Sequence, residues 1–205
     1  MVDIVTESGL IDDILGPHQK GLGVGYIGYR NHCFRMLNVG RYLVPDAPHR
    51  DDRFAIMSAF HDLPFFLDGD LDYLGRASGW ASDYLEAMGR SEWEPEMRLM
   101  IHNHHKVRPY TGEYAPMVDA MRKADWIDVT FTKVRFGIPR RFIAEMRATF
   151  PLNEAYKGYP DLNWRERFSL YPLGAMVIVL GFYPQAILNW INPTLHGLIK
   201  TIRPL

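Results

Sequence analysis

Cysteine is almost absent from this chain: among its 205 residues, Cys33 carries the single thiol. One cysteine excludes an internal disulfide and any metal site built from several thiolates. Eight histidines are present instead, so a metal site in this protein would use imidazole nitrogens and carboxylate oxygens as ligands. We therefore expect a protein of a reducing compartment.

An excess of charge of one sign is also lacking. The chain has 23 basic and 24 acidic residues, so it lacks the basic surface that binding to nucleic acid normally requires, and no nucleic-acid partner is expected. The first residues lack the basic and apolar segments of a signal peptide, from which we expect a cytoplasmic location. The length is enough for one well-packed core.

Strand-like alternation of apolar and polar residues is absent over any useful length, whereas helical spacing recurs along most of the chain. This pattern predicts an all-α fold, with a helical bundle over residues 1–151 and a hydrophobic C-terminal helical tail over residues 152–205. Start and stop signals bound the helices. Asn31 is predicted to cap a helix that ends before Pro45, and Pro116 is predicted to open a later one.

Histidine and aspartate fall at particular positions in these helices. The adjacent pair His61 and Asp62 comes where a helical pattern ends before Pro64. Side chains one residue apart there point about 100° apart, so both can reach one cation beyond the helix end. His32 and His104 each lie on an apolar helical stripe. A lone histidine on such a stripe has an alternative interpretation, which is a core residue with one hydrogen bond.

Asp125 is an acidic residue on an otherwise apolar stripe, where Val118, Met121, Asp125 and Asp128 follow at helical spacing. A buried carboxylate is costly unless it is paired or bound to a cation. From the residues alone, two interpretations of Asp125 are open: an ion pair with an arginine, or a metal ligand.

These residues, in this order, resemble the ligand series of the HD-domain metal-dependent phosphohydrolase superfamily, and also a bacterial branch similar to cyanamide hydratase-type proteins. The resemblance covers roughly residues 22–150. The segments that carry it are Tyr29-Arg30-Asn31-His32, Phe60-His61-Asp62-Leu63, Asp72-Tyr73-Leu74, His104-His105-Lys106-Val107-Arg108-Pro109-Tyr110 and Ala124-Asp125-Trp126-Ile127-Asp128-Val129.

The resemblance implies a divalent transition metal, which this ligand set does not narrow beyond manganese, iron, cobalt, nickel or zinc. The implied ligands of the first ion are His32, His61, Asp62 and Asp125. Two neutral imidazoles and two carboxylates would cancel the charge of the ion.

Further residues are assigned roles, the histidines by the same resemblance and the others by their own charge and position. His104 and His105 resemble the positions that hold a second ion in dinuclear members of the superfamily. Lys106 and Arg108 would bind an anionic group such as phosphate, although basic residues at a helix end are also explained by the helix dipole. Asp72, on a predicted loop over residues 65–72, is a candidate catalytic acid or base, and Asp62 is a second catalytic candidate.

The implied function is hydrolysis of a small phosphoester such as a nucleotide by a metal-activated water, so we expect a small anionic substrate. Three alternatives are open: a hydratase or hydrolase acting on a C–N substrate, an HD-type di-iron oxygenase, and a regulatory module whose metal is structural. The aromatic segment after His61 is expected to influence specificity.

The C-terminal tail has a separate character, because residues 168–199 contain no Asp, Glu, Lys or Arg. With its flanks the stretch is about long enough to cross a ~30 Å hydrocarbon layer. It resembles the last membrane helix of antiporter-like subunits of NADH:quinone oxidoreductase, through Leu180-Gly181-Phe182-Tyr183-Pro184-Gln185 and Ile191-Asn192-Pro193-Thr194-Leu195. Membrane association through this tail is one prediction. The alternative is a tail packed on the bundle, since Pro172, Pro184 and Pro193 are expected to interrupt the helix.

Overall fold

The computed structural model describes residues 3–152 and 163–182, together with residues 189, 192 and 194. The chain forms two compact units, residues 1–157 and residues 158–205. Within the described residues all regular secondary structure is helical, which confirms the all-α prediction.

The first unit contains α-helices joined by short loops and by 3₁₀ turns at Gly16–His18, Gly23–Gly25 and Ser91–Trp93. In chain order the α-helices are α1 (Gly9–Leu15), α2 (Gln19–Leu22), α3 (Tyr26–Leu43), α4 (Arg50–Phe60), α5 (Leu63–Asp68), α6 (Leu74–Ala87), α7 (Glu94–Asn103), α8 (Ala115–Val129) and α9 (Arg140–Thr149). The predicted role of Pro116 is confirmed, since it lies in the first turn of α8.

Helix α3 is the centre of this unit and packs against α1, α4, α8 and α9. Every residue from Cys33 to Gly40 is buried, as expected of a helix surrounded on all sides. The prediction that Asn31 caps this helix is wrong, because α3 begins at Tyr26 and includes Asn31. The Asn31 amide instead donates to the carbonyl of Pro151 at 2.8 Å, which fixes the chain after α9 against α3.

The segment that follows His61 is more ordered than the predicted loop. Leu63–Asp68 forms α5, and Pro64 lies in its first turn, where the missing N–H has no partner to lose. Gly69 ends the helix in the left-handed conformation with φ of 70°. Pro64 therefore ends one helix and starts the next, which places His61 and Asp62 at the junction between them.

The described part of the second unit is α10, Trp164–Phe182. Asn163 caps it: its side chain accepts hydrogen bonds from the backbone N–H groups of Arg165 and Glu166 at 3.0 and 3.1 Å.

The expectation that Pro172 interrupts this helix is wrong, because α10 runs through Pro172; Pro184 and Pro193 lie outside the described residues. Across residues 3–152 and 163–182, no helix combines the length and the apolar character that crossing a membrane requires. The segment 168–199 is only partly described, so membrane association stays a prediction.

Gly40 permits the close approach of α3 and α4. A Cβ atom at this position would overlap the ring of Phe54 on α4, and that ring is fully buried and has no room to move. The absence of a side chain at Gly40 thus sets the distance between the two helices that carry His32 and His61.

We predict that Gly40→Ala lowers the free energy of unfolding by about 1–3 kcal/mol, because the added methyl group overpacks the core. Urea denaturation measures this. The matched control is Gly79→Ala in α6, where the residue is exposed and a Cβ meets no atom within 4 Å. That change should stabilise the protein by about 0.5–1 kcal/mol through helix propensity. Equal effects at the two positions would contradict the close approach.

Candidate metal centre

Four separate parts of the bundle bring imidazole and carboxylate groups to one place. His32 comes from α3, His61 and Asp62 from the junction of α4 and α5, His104 from the end of α7, and Asp125 from α8. The side chains of His61 and His104 are 0% exposed and Asp125 is 1% exposed. The cluster therefore lies inside the protein, although these residues are spread over more than ninety positions of sequence.

His61 and His104 are oriented by the helices that they end. Each lies at the C-cap of its helix, where the last carbonyls lack intrahelical partners. The Nδ1 of His61 donates to the carbonyl of Ser58 at 2.8 Å, and the Nδ1 of His104 donates to that of Ile101 at 2.5 Å. A carbonyl only accepts, so the ring proton lies on Nδ1 and the lone pair lies on Nε2.

His32 is oriented by a carboxylate. Its Nδ1 donates to Asp128 Oδ2 at 2.6 Å, and Asp128 also accepts two hydrogen bonds from Arg35 at 2.6 and 2.8 Å. Burial is the largest single influence on the His32 imidazole and lowers its pKa, but the hydrogen bond to Asp128 and the charges of Asp128 and Asp125 together outweigh burial, so the pKa is raised. A carboxylate behind a histidine in this way fixes the tautomer and strengthens the ring as a ligand, so Nε2 of His32 also carries its lone pair into the cluster.

Several acceptor atoms in the cluster have no donor among the described residues. Nε2 of His32 and Nε2 of His61 face each other at 3.3 Å, a separation expected of two nitrogens that share one ion through bonds of about 2.1 Å. The buried Nε2 of His104 and Oδ1 of Asp125 have no hydrogen-bond partner in the described residues. Buried acceptors without a donor are costly, and a cation among them removes that cost.

The charges of the cluster also favour a cation. Three carboxylates, those of Asp62, Asp125 and Asp128, contact the histidines of the cluster. Among the described residues, the arginine paired with any of them is Arg35, which binds Asp128. With neutral imidazoles the excess is two negative charges, which one divalent ion neutralises.

The donor atoms fall into two groups that share Asp62. One consists of His32, His61 and Asp62, the other of Asp62, His104 and His105, and within each the donor atoms lie within 4.8 Å of one another. Nε2 of His61 and Nε2 of His104 are each 3.3 Å from an oxygen of Asp62. His105 is exposed, with its ring 3.7 Å from that of His104. The described residues thus fit one or two ions with nitrogen and oxygen ligands, and Asp62 is placed to bridge two.

Asp125 adjoins the first group, with Oδ1 3.9 Å from Nε2 of His32. The sequence left open an ion pair between Asp125 and an arginine. In the structure Arg35 pairs instead with Asp128, which lies one turn further along α8. Asp125 therefore faces the cluster and has no basic side chain paired with it among the described residues.

The other predicted site residues lie outside this cluster. Asp72 is exposed, and its backbone N–H donates to Asp70 Oδ1 at 2.9 Å. Lys106 and Arg108 are exposed on the loop after α7, where the Lys106 carbonyl accepts from Trp126 Nε1 at 3.2 Å. The structure does not bring these three side chains to the cluster, and their assigned roles stay predictions.

Two contributors to the site were missed by the sequence analysis. The Tyr73 hydroxyl donates to Asp62 Oδ1 at 2.5 Å, so the residue that reaches the cluster from this loop is the neighbour of Asp72. Asp128 supports His32. The position of Asp128, three residues after Asp125 on the same helical stripe, could have indicated that it lies near the cluster. No local sequence feature indicated that Tyr73, and not Asp72, would contact Asp62.

A cavity of about 630 Å³ lies beside the cluster. His32 and Asp62 form part of its wall, as does Arg35. The apolar side chains that line it are Tyr29, Phe66, Val129, Phe131 and Leu152. Its volume is within the range usual for small-molecule sites.

Comparison with known proteins finds no matching protein-family model, no similar curated protein and no similar solved structure. The resemblance to the HD superfamily stays a prediction. The geometry of the described residues supports a candidate metal site independently of that resemblance.

We predict that the Asp125→Asn variant shows whether Asp125 is a metal ligand or a structural carboxylate. In metal-free protein the change should cost little stability or raise it, because it removes an unpaired buried charge. Excess manganese or zinc should stabilise the wild type by about 3 kcal/mol at a concentration ~100 times Kd, and the variant much less. Denaturation with and without metal measures both effects.

The matched control is Asp119→Asn on the same helix, since Asp119 pairs with Arg122 and Lys123 at 2.7 and 2.8 Å. It should respond to metal as the wild type does. An Asp125→Asn variant that loses the same stability with and without metal would show that Asp125 is structural.

Proposed function

We propose that this protein is a metal-dependent hydrolase whose helical bundle belongs to the HD superfamily. The observation that carries the proposal is a set of buried lone pairs without donors. In the part of the chain that the structure describes, Nε2 of His104 and Oδ1 of Asp125 have no hydrogen-bond partner, and the Nε2 atoms of His32 and His61 face each other. One or two divalent transition metals, held by these groups with Asp62 and His105, would satisfy them.

The bound ions would supply Lewis acidity and a water whose pKa is lowered toward neutrality. The protein groups hold the ligands in place. Tyr73 orients Asp62 through its hydroxyl, Asp128 orients His32, and backbone carbonyls orient His61 and His104. Because neither serine nor cysteine is in this cluster of described residues, water is the nucleophile that we propose.

For the substrate, we propose a small phosphoester such as a nucleotide as the first candidate. The family resemblance supports it, and the exposed residues Lys106 and Arg108 lie one and three positions after His105. From there they would contact an anionic group at the side of the cluster that holds His104 and His105.

A C–N substrate, hydrolysed or hydrated, is the second candidate. The observation that favours it is the state of Arg35, the one arginine or lysine among the described residues that line the cavity. Its Nε and one terminal nitrogen bond Asp128, and its other terminal nitrogen bonds the carbonyl of Phe150 at 3.1 Å. A guanidinium so engaged is poorly placed to take a phosphate as well.

Metal content and turnover on one substrate panel test the proposal. Protein purified without added metal should hold about one to two equivalents of transition metal by mass spectrometry, and should hydrolyse either phosphomonoesters or small nitriles and amides. His61→Ala and Asp125→Ala should each lower metal affinity at least ~10-fold and kcat/KM at least ~100-fold.

His102→Ala is the matched control, because His102 is exposed, bonds Ser78 at 3.1 Å and belongs to neither donor group. It should keep metal and activity within about twofold. Metal-free protein that cannot be loaded would refute the proposal. Iron with a mixed-valence signal and oxygen-dependent turnover would replace hydrolysis with oxygenase chemistry, and full metal loading without turnover on the panel would favour a regulatory module.

A further inference from the structure

The cavity beside His32 opens directly onto the metal cluster, since His32 and Asp62 belong to both. When the reacting group of a substrate lies at the cluster, the rest of that substrate can therefore extend into this cavity. With about 630 Å³ the cavity has room for a ring-sized group.

Apart from the cluster residues His32 and Asp62, the polar side chains on the cavity wall already have hydrogen-bond partners. Each nitrogen of Arg35 donates to Asp128 or to a backbone carbonyl, and the Tyr29 hydroxyl donates to the carbonyl of Ala59 at 2.9 Å. A charged or strongly polar group placed there would lose water without gaining partners. An apolar group would gain by leaving water.

Two aromatic residues on the wall come from different segments. Phe66 in α5 packs its ring 4.8 Å from that of Tyr29, and Phe131 follows the end of α8. Their exposed fractions are 49% and 59%, unusually high for phenylalanine beside a cavity. An apolar ligand would cover both rings.

The backbone at Phe131 is held in a costly conformation. Phe131 and Thr132 have φ of 53° and 63°, in the left-handed region that favours glycine. Hydrogen bonds from their N–H groups to the carbonyls of Asp128 and Ile127, at 3.0 and 2.8 Å, maintain it. Strained residues of this kind cluster at ligand sites. Here these hydrogen bonds hold Phe131 against the end of α8, the helix that carries Asp125.

We propose that this cavity binds an apolar, ring-sized part of the substrate whose polar end reaches the metal cluster, and that Phe66 and Phe131 determine this specificity. The inference rests on the proposed function, because it needs a metal to hold the polar end. It narrows the substrate class: whether phosphoester or C–N compound, the substrate carries an uncharged aromatic or branched aliphatic group next to the reacting bond.

Two hydroxamic acids with the same metal-binding head test this. Acetohydroxamate has a methyl group and benzohydroxamate has a phenyl ring, and calorimetry on the full chain loaded with manganese or zinc gives both Kd values. We expect benzohydroxamate to bind at least about tenfold more tightly, because the ring leaves water.

Phe66→Ala and Phe131→Ala should each reduce that preference to about threefold or less, and should leave the Kd of acetohydroxamate within about twofold. Phe136→Ala is the matched control. Phe136 is on the same loop, is exposed and has φ of 44°, but it does not line the cavity. The control should keep the full preference.

Equal binding of the two hydroxamates by metal-loaded protein would overturn the inference and leave the proposed function standing. A preference that survives both phenylalanine changes would also overturn it, since the ring would then lie elsewhere. Protein that takes up no metal and binds neither compound would instead mean that the proposed function has failed, and the inference with it.

Discussion

The structure depends on the electrostatics of one buried cluster in which acceptors outnumber donors. Imidazole lone pairs and carboxylate oxygens from four parts of the chain converge where His61, His104 and Asp125 are almost fully shielded from water. Such an arrangement is costly unless a cation joins it. The bundle brings the donor atoms of two groups within 4.8 Å of one another, a spacing that a shared ion can use.

The bundle supplies that rigidity through backbone and buried polar contacts. Helix ends orient His61 and His104 by accepting their Nδ1 protons. The central helix α3 carries His32, and on the same helix Arg35 holds the carboxylate that orients it. Arg35 also bonds the carbonyls of Phe150 and Pro151, so the support behind His32 extends to the end of α9. A ligand held this way loses little entropy on binding metal.

How much of this could be predicted from the sequence depended on the range of each interaction. Helical spacing and proline positions gave the all-α bundle, and a carboxylate on an apolar stripe drew attention to Asp125. The cap assigned to Asn31 was wrong because α3 begins five residues earlier, at Tyr26, and the amide of Asn31 instead bonds Pro151, 120 positions away. The pairing of Arg35 with Asp128 spans 93 positions, so no local sequence pattern predicts it. That Tyr73, and not Asp72, contacts Asp62 depends on the conformation of the loop in the folded protein.

Anomalous diffraction at the metal absorption edge, from crystals of the full chain grown with manganese or zinc, tests the central claim most directly. A peak is expected within about 2.0–2.3 Å of Nε2 of His32 and His61 and of an oxygen of Asp62. A second peak between Asp62, His104 and His105 would establish a dinuclear centre. Density without an anomalous peak in the cluster, with waters or protons joining the buried lone pairs instead, would contradict the account.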